Sequence, residues 1–369
     1  MSAASLVEQL LCENLKTLQP YQSARRLFSG EGSGENQTNW LNANESPFAN
    51  EYELNCETLN RYPDCQPPSV IKAYAQYAGV KPEQTLTSRG ADEGIELLIR
   101  AFCTPGQDKI LICPPTYGMY AISAETFNIG VEKAPLNADF SLDLDAIKTQ
   151  VGKVKLVFIC SPNNPTGTDV GKEQLKQVLG AYAGKALVVV DEAYIEFTAQ
   201  SSWANELAQY PNLVVLRTLS KAFALAGIRC GFTLADEAVI QALLKVIAPY
   251  PVPEPVAQIA KQALSGSGLQ RTRNQVAIIN QQKQQLQQQL GLIPQVTLVG
   301  DSAANFILFK TEQKQALFDA LVAQNILIRD QSKQLNLDNC LRITIGNDRQ
   351  NKMVLNAIQQ FFQQESSNS

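Results

Sequence analysis

The stretch that decides the fold runs from residue 213 to residue 232 and reads LVVLRTLSKAFALAGIRCGF. Its first residues, 213–216, form a short continuous apolar run, which is typical of a β-strand covered on both faces. Lys221 follows among alanine, phenylalanine and leucine residues, where loss of water penalises the ammonium and favours the neutral amine. Because a neutral amine can attack a carbonyl carbon, Lys221 is a candidate Schiff-base lysine.

A lone lysine at a strand end is more often a plain surface residue, so this assignment depends on the surrounding sequence. Thr218, Ser220 and Arg229 lie close to Lys221 along the chain. Their hydroxyl and guanidinium groups are suited to holding a phosphate dianion. We therefore expect a local anion site beside the amine of Lys221.

Three further apolar runs precede this one, at residues 109–113, 155–159 and 186–190. Helix-like or turn segments separate the runs, and this alternation predicts a mostly parallel sheet covered by helices. In such sheets, functional side chains collect at the carboxyl ends of the strands. Polar or aromatic candidates follow each of the four runs: Tyr117, Asn164, Asp191 with Tyr194, and Lys221.

Asp191 closes the apolar run that begins near Leu187. A carboxylate buried there without a cationic partner would cost several kcal/mol, and a protonated pyridine nitrogen would be such a partner. A second candidate anion site lies at Gly90-Ala91-Asp92, where a helix begins after a strand-like segment. Free amide groups and the helix dipole attract a phosphate there, although an ordinary helix start is the alternative.

Composition narrows the possible functions. A chain of 369 residues is long enough for two domains, and a net charge of −4 gives no basic surface for nucleic acid or an anionic membrane. The eight cysteines contain no C-x-x-C pair, and neither a signal-like start nor a run of about 18 apolar residues is present. These features favour a cytoplasmic protein with reduced cysteines.

The sequence contains no histidine. Ser-His-Asp hydrolysis, Cys-His proteolysis and histidine-ligated zinc are therefore excluded, and we expect no metal. Proton transfer near neutral pH must use another group, for which a buried lysine is suited.

The pattern divides the chain into three parts. Residues 1–37 form an N-terminal helix and arm, with an apolar stripe over 5–18, that we expect to pack on the small domain or on a partner subunit. Residues 38–255 form a large cofactor-binding domain that ends in a proline-rich segment at 250–255. Residues 256–369 form a small α+β domain with a long helix over 271–290 and two arginines at strand edges, Arg329 and Arg342.

The ordered set of candidate residues resembles the pyridoxal-phosphate enzymes of the aspartate aminotransferase fold and, within them, the histidinol-phosphate aminotransferase family. The similarity also covers PYQSARR at 20–26, LNANE at 41–45, RYPD at 61–64 and LRIT at 341–344. It implies an α/β protein of fold type I. Its large domain would have a mostly parallel seven-stranded sheet between helices, beside a smaller α+β domain.

The resemblance also implies residue roles around pyridoxal 5′-phosphate. Lys221 would hold the cofactor as a Schiff base and move the reacting proton. Asp191 would pair with the ring nitrogen and keep it protonated. Asn164 and Tyr194 would bind the phenolic oxygen of the cofactor, and Tyr117 would stack on its ring.

Two further groups of residues are implied by the resemblance. Tyr62 would reach the cofactor phosphate from a second subunit, which implies a homodimer with shared active sites. Other phosphate-binding groups would be the amides of Ala91 and Asp92 and the side chains of Thr218, Ser220 and Arg229. The substrate-binding residues would be Tyr21, Asn44, Arg329 and Arg342.

The implied reaction moves an amino group from histidinol phosphate to 2-oxoglutarate and yields imidazole-acetol phosphate and glutamate, in histidine biosynthesis. An arginine fork suits both the phosphate and the carboxylates. The nearest alternative is an aminotransferase of the same fold that acts on an aromatic or other amino acid. A carbon–sulfur lyase is a further alternative. A transcriptional regulator would need a basic DNA-binding domain that this chain does not provide.

Overall fold

A computed structural model describes residues 3–18 and 38–367 of the chain. Tyr21, one of the predicted substrate-binding residues, lies outside the described residues. The strands are β1 (Asn39–Trp40), β2 (Thr85–Ser88), β3 (Lys109–Ile112), β4 (Gly130–Lys133), β5 (Leu156–Cys160), β6 (Leu187–Asp191), β7 (Leu213–Thr218), β8 (Gly231–Ala235), β9 (Thr297–Val299), β10 (Phe306–Lys310), β11 (Ile326–Leu327), β12 (Arg329–Asp330) and β13 (Cys340–Thr344). The α-helices are α1 (Ala3–Leu10), α2 (Glu13–Lys16), α3 (Pro68–Ala78), α4 (Gly90–Phe102), α5 (Met119–Thr126), α6 (Leu144–Lys148), α7 (Lys172–Ala181), α8 (Glu237–Leu244), α9 (Glu254–Ala263), α10 (Gly266–Leu290), α11 (Lys314–Ala323) and α12 (Asp348–Ser367).

Seven of the described strands form one large sheet in the order β2-β8-β7-β6-β5-β3-β4. The four predicted apolar runs become β3, β5, β6 and β7, which are parallel to one another, whereas β8 is antiparallel to both of its neighbours. The prediction of a mostly parallel seven-stranded sheet is therefore confirmed.

The continuous apolar runs follow from burial on both faces of this sheet. Successive strand residues point to opposite faces, so alternate residues enter different apolar clusters. Val188, Val190 and Val215 belong to the cluster on one face, and Val189 and Val214 belong to the cluster on the other. Neither face of the central strands is open to water.

Sequence reasoning missed β8, which follows the Lys221 segment directly. Its first residue, Gly231, has no room for a side chain, because a Cβ there would lie 2.4 Å from the amide nitrogen of Ala91. The glycine therefore lets the beginning of α4 lie against the start of β8. This close approach brings the predicted anion site at Gly90-Ala91-Asp92 next to the Lys221 segment.

Four of the described strands form a smaller sheet in the order β12-β13-β10-β9, with antiparallel pairing throughout. The register places Arg329 of β12 directly opposite Arg342 of β13. The long helix α10 covers the predicted span and begins five residues earlier. Five residues that recur at helical spacing along one face of α10 are buried: Val276, Ile279, Lys283, Leu286 and Leu290.

The segment at residues 39–44 is tied to the smaller sheet although it lies far away in sequence. Strand β1 pairs with β11, and the amide of Thr344 donates to the carbonyl of Leu41 at 2.9 Å. This pairing carries the LNANE motif to the edge of the large sheet.

The predicted continuous helix over residues 5–18 is wrong. Helix α1 ends at Leu10 and α2 begins at Glu13, because Cys12 between them has an extended backbone (φ −55°, ψ 139°). Asn14 donates to the carbonyls of Glu125 and Thr126 at the end of α5. Among the helices of residues 3–18 and 38–367, none combines the length and apolar character needed to cross a membrane.

Candidate functional site

Lys221 lies just beyond the carboxyl end of β7 and is partly buried. Its Nζ donates to the carbonyl of Ala43 at 2.9 Å and lies 5.8 Å from the centre of the Tyr194 ring. Burial, and then the nearby guanidinium of Arg342, lower the pKa of Lys221 to about 8. The amine is therefore poised to exist in both protonation states near neutral pH.

Asp191 is the last residue of β6 and is only 3% exposed. Its Oδ1 accepts the amide N–H of Ala193 at 3.0 Å, and its Oδ2 accepts the hydroxyl of Tyr120 at 2.7 Å. Burial raises the pKa of Asp191 to about 6, while these two donors favour the carboxylate. Near pH 7 the site holds a buried negative charge that a cationic ring nitrogen would compensate.

Tyr194 follows Asp191 by three residues and is also buried. Its hydroxyl accepts the side-chain amide of Asn44 at 2.9 Å, and burial raises its pKa above the ordinary value. Asn44 has a left-handed backbone (φ 55°), and its amide N–H donates to Thr344 Oγ1 at 2.9 Å. Asn305 in turn donates to the carbonyl of Asn44 at 3.0 Å. Asn44, which is predicted to bind the substrate, thus contacts Tyr194, which is predicted to bind the cofactor.

Arg342 connects the smaller sheet to the strand ends of the large sheet. Its guanidinium donates to Oδ1 of Asn164 and, at 2.9 Å, to the carbonyl of Asn42. The same group lies 5.2 Å from the centre of the Phe306 ring. Arg329, its neighbour in the sheet, is partly buried. Arg342, which is predicted to bind the substrate, therefore contacts Asn164, which is predicted to bind the cofactor.

The predicted phosphate-binding groups also come together. Arg229 donates to Ser220 Oγ at 3.2 Å and to Asp92 Oδ2 at 3.1 Å, and Thr218 donates to Ser220 Oγ at 2.9 Å. Gly90 has φ 81°, and a Cβ on it would lie 2.6 Å from a terminal nitrogen of Arg229. The missing side chain lets the Arg229 guanidinium approach the N-terminus of α4, where an anion could meet both the guanidinium and the free amides.

Tyr117 and Tyr62 occupy different places. The hydroxyl of Tyr117 donates to Asp92 Oδ1 at 2.9 Å, so Tyr117 lies at the predicted site. Tyr62 is 81% exposed on the surface and stacks on Tyr250, with ring centres 4.4 Å apart.

Sequence reasoning missed two groups that support the site. Tyr120 lies in the first turn of α5, and no motif in the sequence marks it. Arg217, on β7, forms buried ion pairs with Glu192 at 3.1 Å and Glu196 at 2.6 Å. This arginine ties the strand that precedes Lys221 to the segment that carries Asp191 and Tyr194. Nothing in the sequence alone indicated this pairing.

Comparisons of the sequence with a family profile and with individual proteins agree with one another. The family profile described as aminotransferase class I and II matches residues 26–358. The histidinol-phosphate aminotransferase of Pseudoalteromonas atlantica is 67% identical over 363 residues, which cover 98% of this chain and 97% of that protein. The histidinol-phosphate aminotransferase of Pectobacterium atrosepticum is 55% identical over 355 residues, or 96% of this chain and 98% of that protein.

A solved structure supports the fold. The histidinol-phosphate aminotransferase of Sinorhizobium meliloti, in complex with pyridoxal-5′-phosphate, matches with a TM-score of 0.80. The match covers 94% of this chain and 96% of that chain, at 21% sequence identity.

Proposed function

This chain belongs to the class I and II aminotransferases, and from that membership we propose that it transfers the amino group of histidinol phosphate to 2-oxoglutarate. The observation that carries the proposal is the 67% identity to a histidinol-phosphate aminotransferase over 98% of this chain. The geometry agrees with it, because an amine, a buried carboxylate and an arginine meet at one edge of the large sheet.

The residues of the site fit pyridoxal 5′-phosphate as the cofactor. The start of α4 at Gly90, with Arg229, Ser220 and Thr218 around it, suits the phosphate, and the buried Asp191 suits the ring nitrogen. Amides of Ala91 and Asp92 at the start of α4 would complete the phosphate site. When bound, the cofactor supplies an electron sink for the carbanion formed at the substrate Cα.

Lys221 is the proposed attachment point and the proposed acid–base group. With a pKa of about 8, about a tenth of the Lys221 amines are neutral at pH 7, and a neutral amine is the nucleophilic form. The same Nζ would take the proton from the substrate Cα. Its hydrogen bond to the carbonyl of Ala43 orients the amine at the strand-end edge.

Three other side chains would hold and tune the ring. Asp191 would accept a hydrogen bond from the protonated ring nitrogen and stabilise that charge. Asn164 and Tyr194 would bind the phenolic oxygen, and Tyr194 is already oriented by Asn44. Tyr117 would cover one face of the ring.

The two arginines of the smaller sheet are the proposed anion-binding residues of the substrate pocket. Arg342 and Arg329 lie opposite each other, so their side chains share one face of the sheet. Two guanidinium groups there can serve a phosphate monoester in one half-reaction and a dicarboxylate in the other. Asn44 and Tyr21 complete the proposed set.

The proposal includes an assembly and a location. Tyr62, exposed on the surface, would reach the phosphate site of a second copy, which gives a homodimer with shared sites. The large domain would comprise residues 38–255, the small domain residues 256–369, and residues 1–37 the N-terminal arm. All eight cysteines lie in the described ranges and are free thiols, which supports a reducing cytoplasm as the location.

A substrate panel tests the proposed function. The purified, cofactor-loaded protein is mixed with histidinol phosphate, phenylalanine or leucine as amino donor, and the visible absorption of the cofactor is followed in single turnovers. We expect histidinol phosphate to react with the highest kcat/KM. Faster turnover of phenylalanine or leucine would instead support an aromatic or other amino-acid aminotransferase of the same fold.

A further inference from the structure

Tyr120 makes a buried hydrogen bond to the carboxylate of Asp191. Its hydroxyl donates to Oδ2 at 2.7 Å, and both residues are enclosed, with Tyr120 at 0% and Asp191 at 3% exposure. The ring of Tyr120 stacks on Phe158 with centres 4.9 Å apart and lies edge-on to Tyr117. Packing therefore fixes the position from which this hydroxyl donates.

The two oxygens of Asp191 have separate donors. Oδ2 accepts a hydrogen bond from the Tyr120 hydroxyl, and Oδ1 accepts one from the amide N–H of Ala193 at 3.0 Å. A carboxylate held at both oxygens cannot rotate freely, and both donors stabilise its charged form. Without the phenol, Oδ2 would lose this donor in a buried site, where an unsatisfied acceptor is costly.

We propose that Tyr120 is a positioning residue that orients the Asp191 carboxylate and keeps it ionised, so that Asp191 can hold the ring nitrogen of the cofactor. This inference rests on the proposed function, in which Asp191 is the partner of that nitrogen. Tyr120 itself contacts the carboxylate rather than the reacting atoms.

Several other groups face Asp191 from the elements packed around it. Asp92 at the start of α4 raises the pKa of Asp191, and Lys221 after β7 lowers it. Cys160 pairs with Asp191 in register on β5, and burial raises the pKa of its thiol, so it stays neutral. Burial also raises the pKa of Tyr120 well above its ordinary value, so the phenol stays a donor. Tyr120 is therefore a neutral donor to the carboxylate of Asp191.

Tyr182 provides a matched control. Its ring is equally buried, and its hydroxyl also donates over 2.7 Å, but to the backbone carbonyl of Ile147. Tyr182→Phe and Tyr120→Phe each remove one hydroxyl from a ring with no exposed surface, so the control separates what the Tyr120 hydroxyl supports from the loss of a buried phenol.

The first measurement is the titration of Asp191 in the cofactor-free protein. Aspartate labelled with ¹³C at the side-chain carboxyl is followed by NMR against pH, and Asp191→Asn identifies the resonance. We expect Tyr120→Phe to raise the titration midpoint of Asp191 by about one pH unit, since it removes a donor to the charged form. Tyr182→Phe should leave the midpoint unchanged. An equal midpoint in both variants would overturn the proposal.

The second measurement is a double-mutant cycle on pyridoxal 5′-phosphate affinity. Tyr120→Phe should weaken cofactor binding roughly tenfold when Asp191 is present. In an Asp191→Asn background the same change should alter binding by less than about twofold. Equal losses in both backgrounds would show that Tyr120 acts only through packing. Neither measurement depends on the amino donor, so a failed substrate panel and a failed Tyr120 proposal give separate results.

Discussion

Lys221, at the strand-end edge of the large sheet, and Lys283, on α10 beneath the smaller sheet, are alike in three respects. Burial lowers the pKa of each to about 8. Each donates to a backbone carbonyl, Lys221 to Ala43 at 2.9 Å and Lys283 to Ala304 at 2.7 Å. Each side chain is at least partly withdrawn from water. Lys283 is the less exposed of the two, at 8% exposure.

The two lysines differ in what surrounds the amine. Lys221 lies over the ring of Tyr194. Arg342 lowers the pKa of Lys221, and Lys221 in turn lowers the pKa of Asp191. The charge that acts on Lys283 is Asp169, which raises its pKa against the effect of burial. A lowered lysine pKa therefore reports burial, and only the neighbouring groups distinguish a reactive lysine from a structural one.

The largest expected effect comes from removing Lys221, with the removal of Lys283 as the comparison. Lys221→Ala should reduce kcat by roughly 10⁵-fold or more, because the chain would lose both the proposed attachment point of the cofactor and the proposed acid–base group. Lys283→Met keeps the length and apolar stem of the side chain and should change kcat less than about threefold. Turnover of histidinol phosphate measures both. Equal losses in the two variants would mean that burial, rather than neighbours, sets the function.

The next effect concerns Asp191, the buried carboxylate close to Lys221. Asp191→Asn should retain the fold and lose roughly 10³-fold in rate, about 4 kcal/mol of transition-state stabilisation. Asp169→Asn, beside Lys283, is the matched change and should leave the rate close to that of the unaltered protein. Near-normal turnover by Asp191→Asn would show that another residue contacts the ring nitrogen.

A smaller effect is expected from Arg329, which is proposed to bind the substrate. Arg329→Ala should reduce kcat/KM for histidinol phosphate roughly 100-fold, which corresponds to about 3 kcal/mol. The affinity for the cofactor should change little. Arg273→Ala, at an exposed position on α10, serves as the control. An equal loss of cofactor and substrate affinity after Arg329→Ala would assign this arginine to the support of the fold.

The smallest effect is a change of stability in the Lys283 region. Because the folded pKa of Lys283 lies below that of an unfolded lysine, the unfolded chain binds more protons between about pH 8 and about pH 10.5. Lys283 therefore makes stability rise with pH across this window, by up to about 3 kcal/mol. Urea unfolding of the cofactor-free protein should show that Lys283→Met and Lys283→Gln both lose this rise. Retention of the full rise in both variants would contradict the assigned burial.

The sequence predicted well where one physical signal dominates. The apolar runs that became β3, β5, β6 and β7 are buried on both faces, and the face of α10 repeats at helical spacing, so burial alone determines both patterns. It predicted poorly where the structure depends on a distant partner. Strand β8 is placed by the contact of Gly231 with α4, and the pairing of Arg217 with Glu192 and Glu196 depends on the order of the strands.

The candidate site shows the same division. The strand-end rule indicated that Lys221, Asp191 and Asn164 would meet, because parallel strands bring their carboxyl ends to one edge. It could not indicate that Asn44 would orient Tyr194, since the loop at 41–44 reaches the site only through its pairing with the smaller sheet. The roles of these residues stay predictions until variants are measured.

The most direct test of the comparison is to trap the lysine that binds the cofactor. The protein loaded with pyridoxal 5′-phosphate is reduced with borohydride, digested and mapped by mass spectrometry. We expect the pyridoxyl group to be recovered on Lys221, and we expect Lys283, with its similar pKa and lower exposure, to be unlabelled. Recovery of the label on Lys283, Lys245 or Lys185 in place of Lys221 would contradict this expectation.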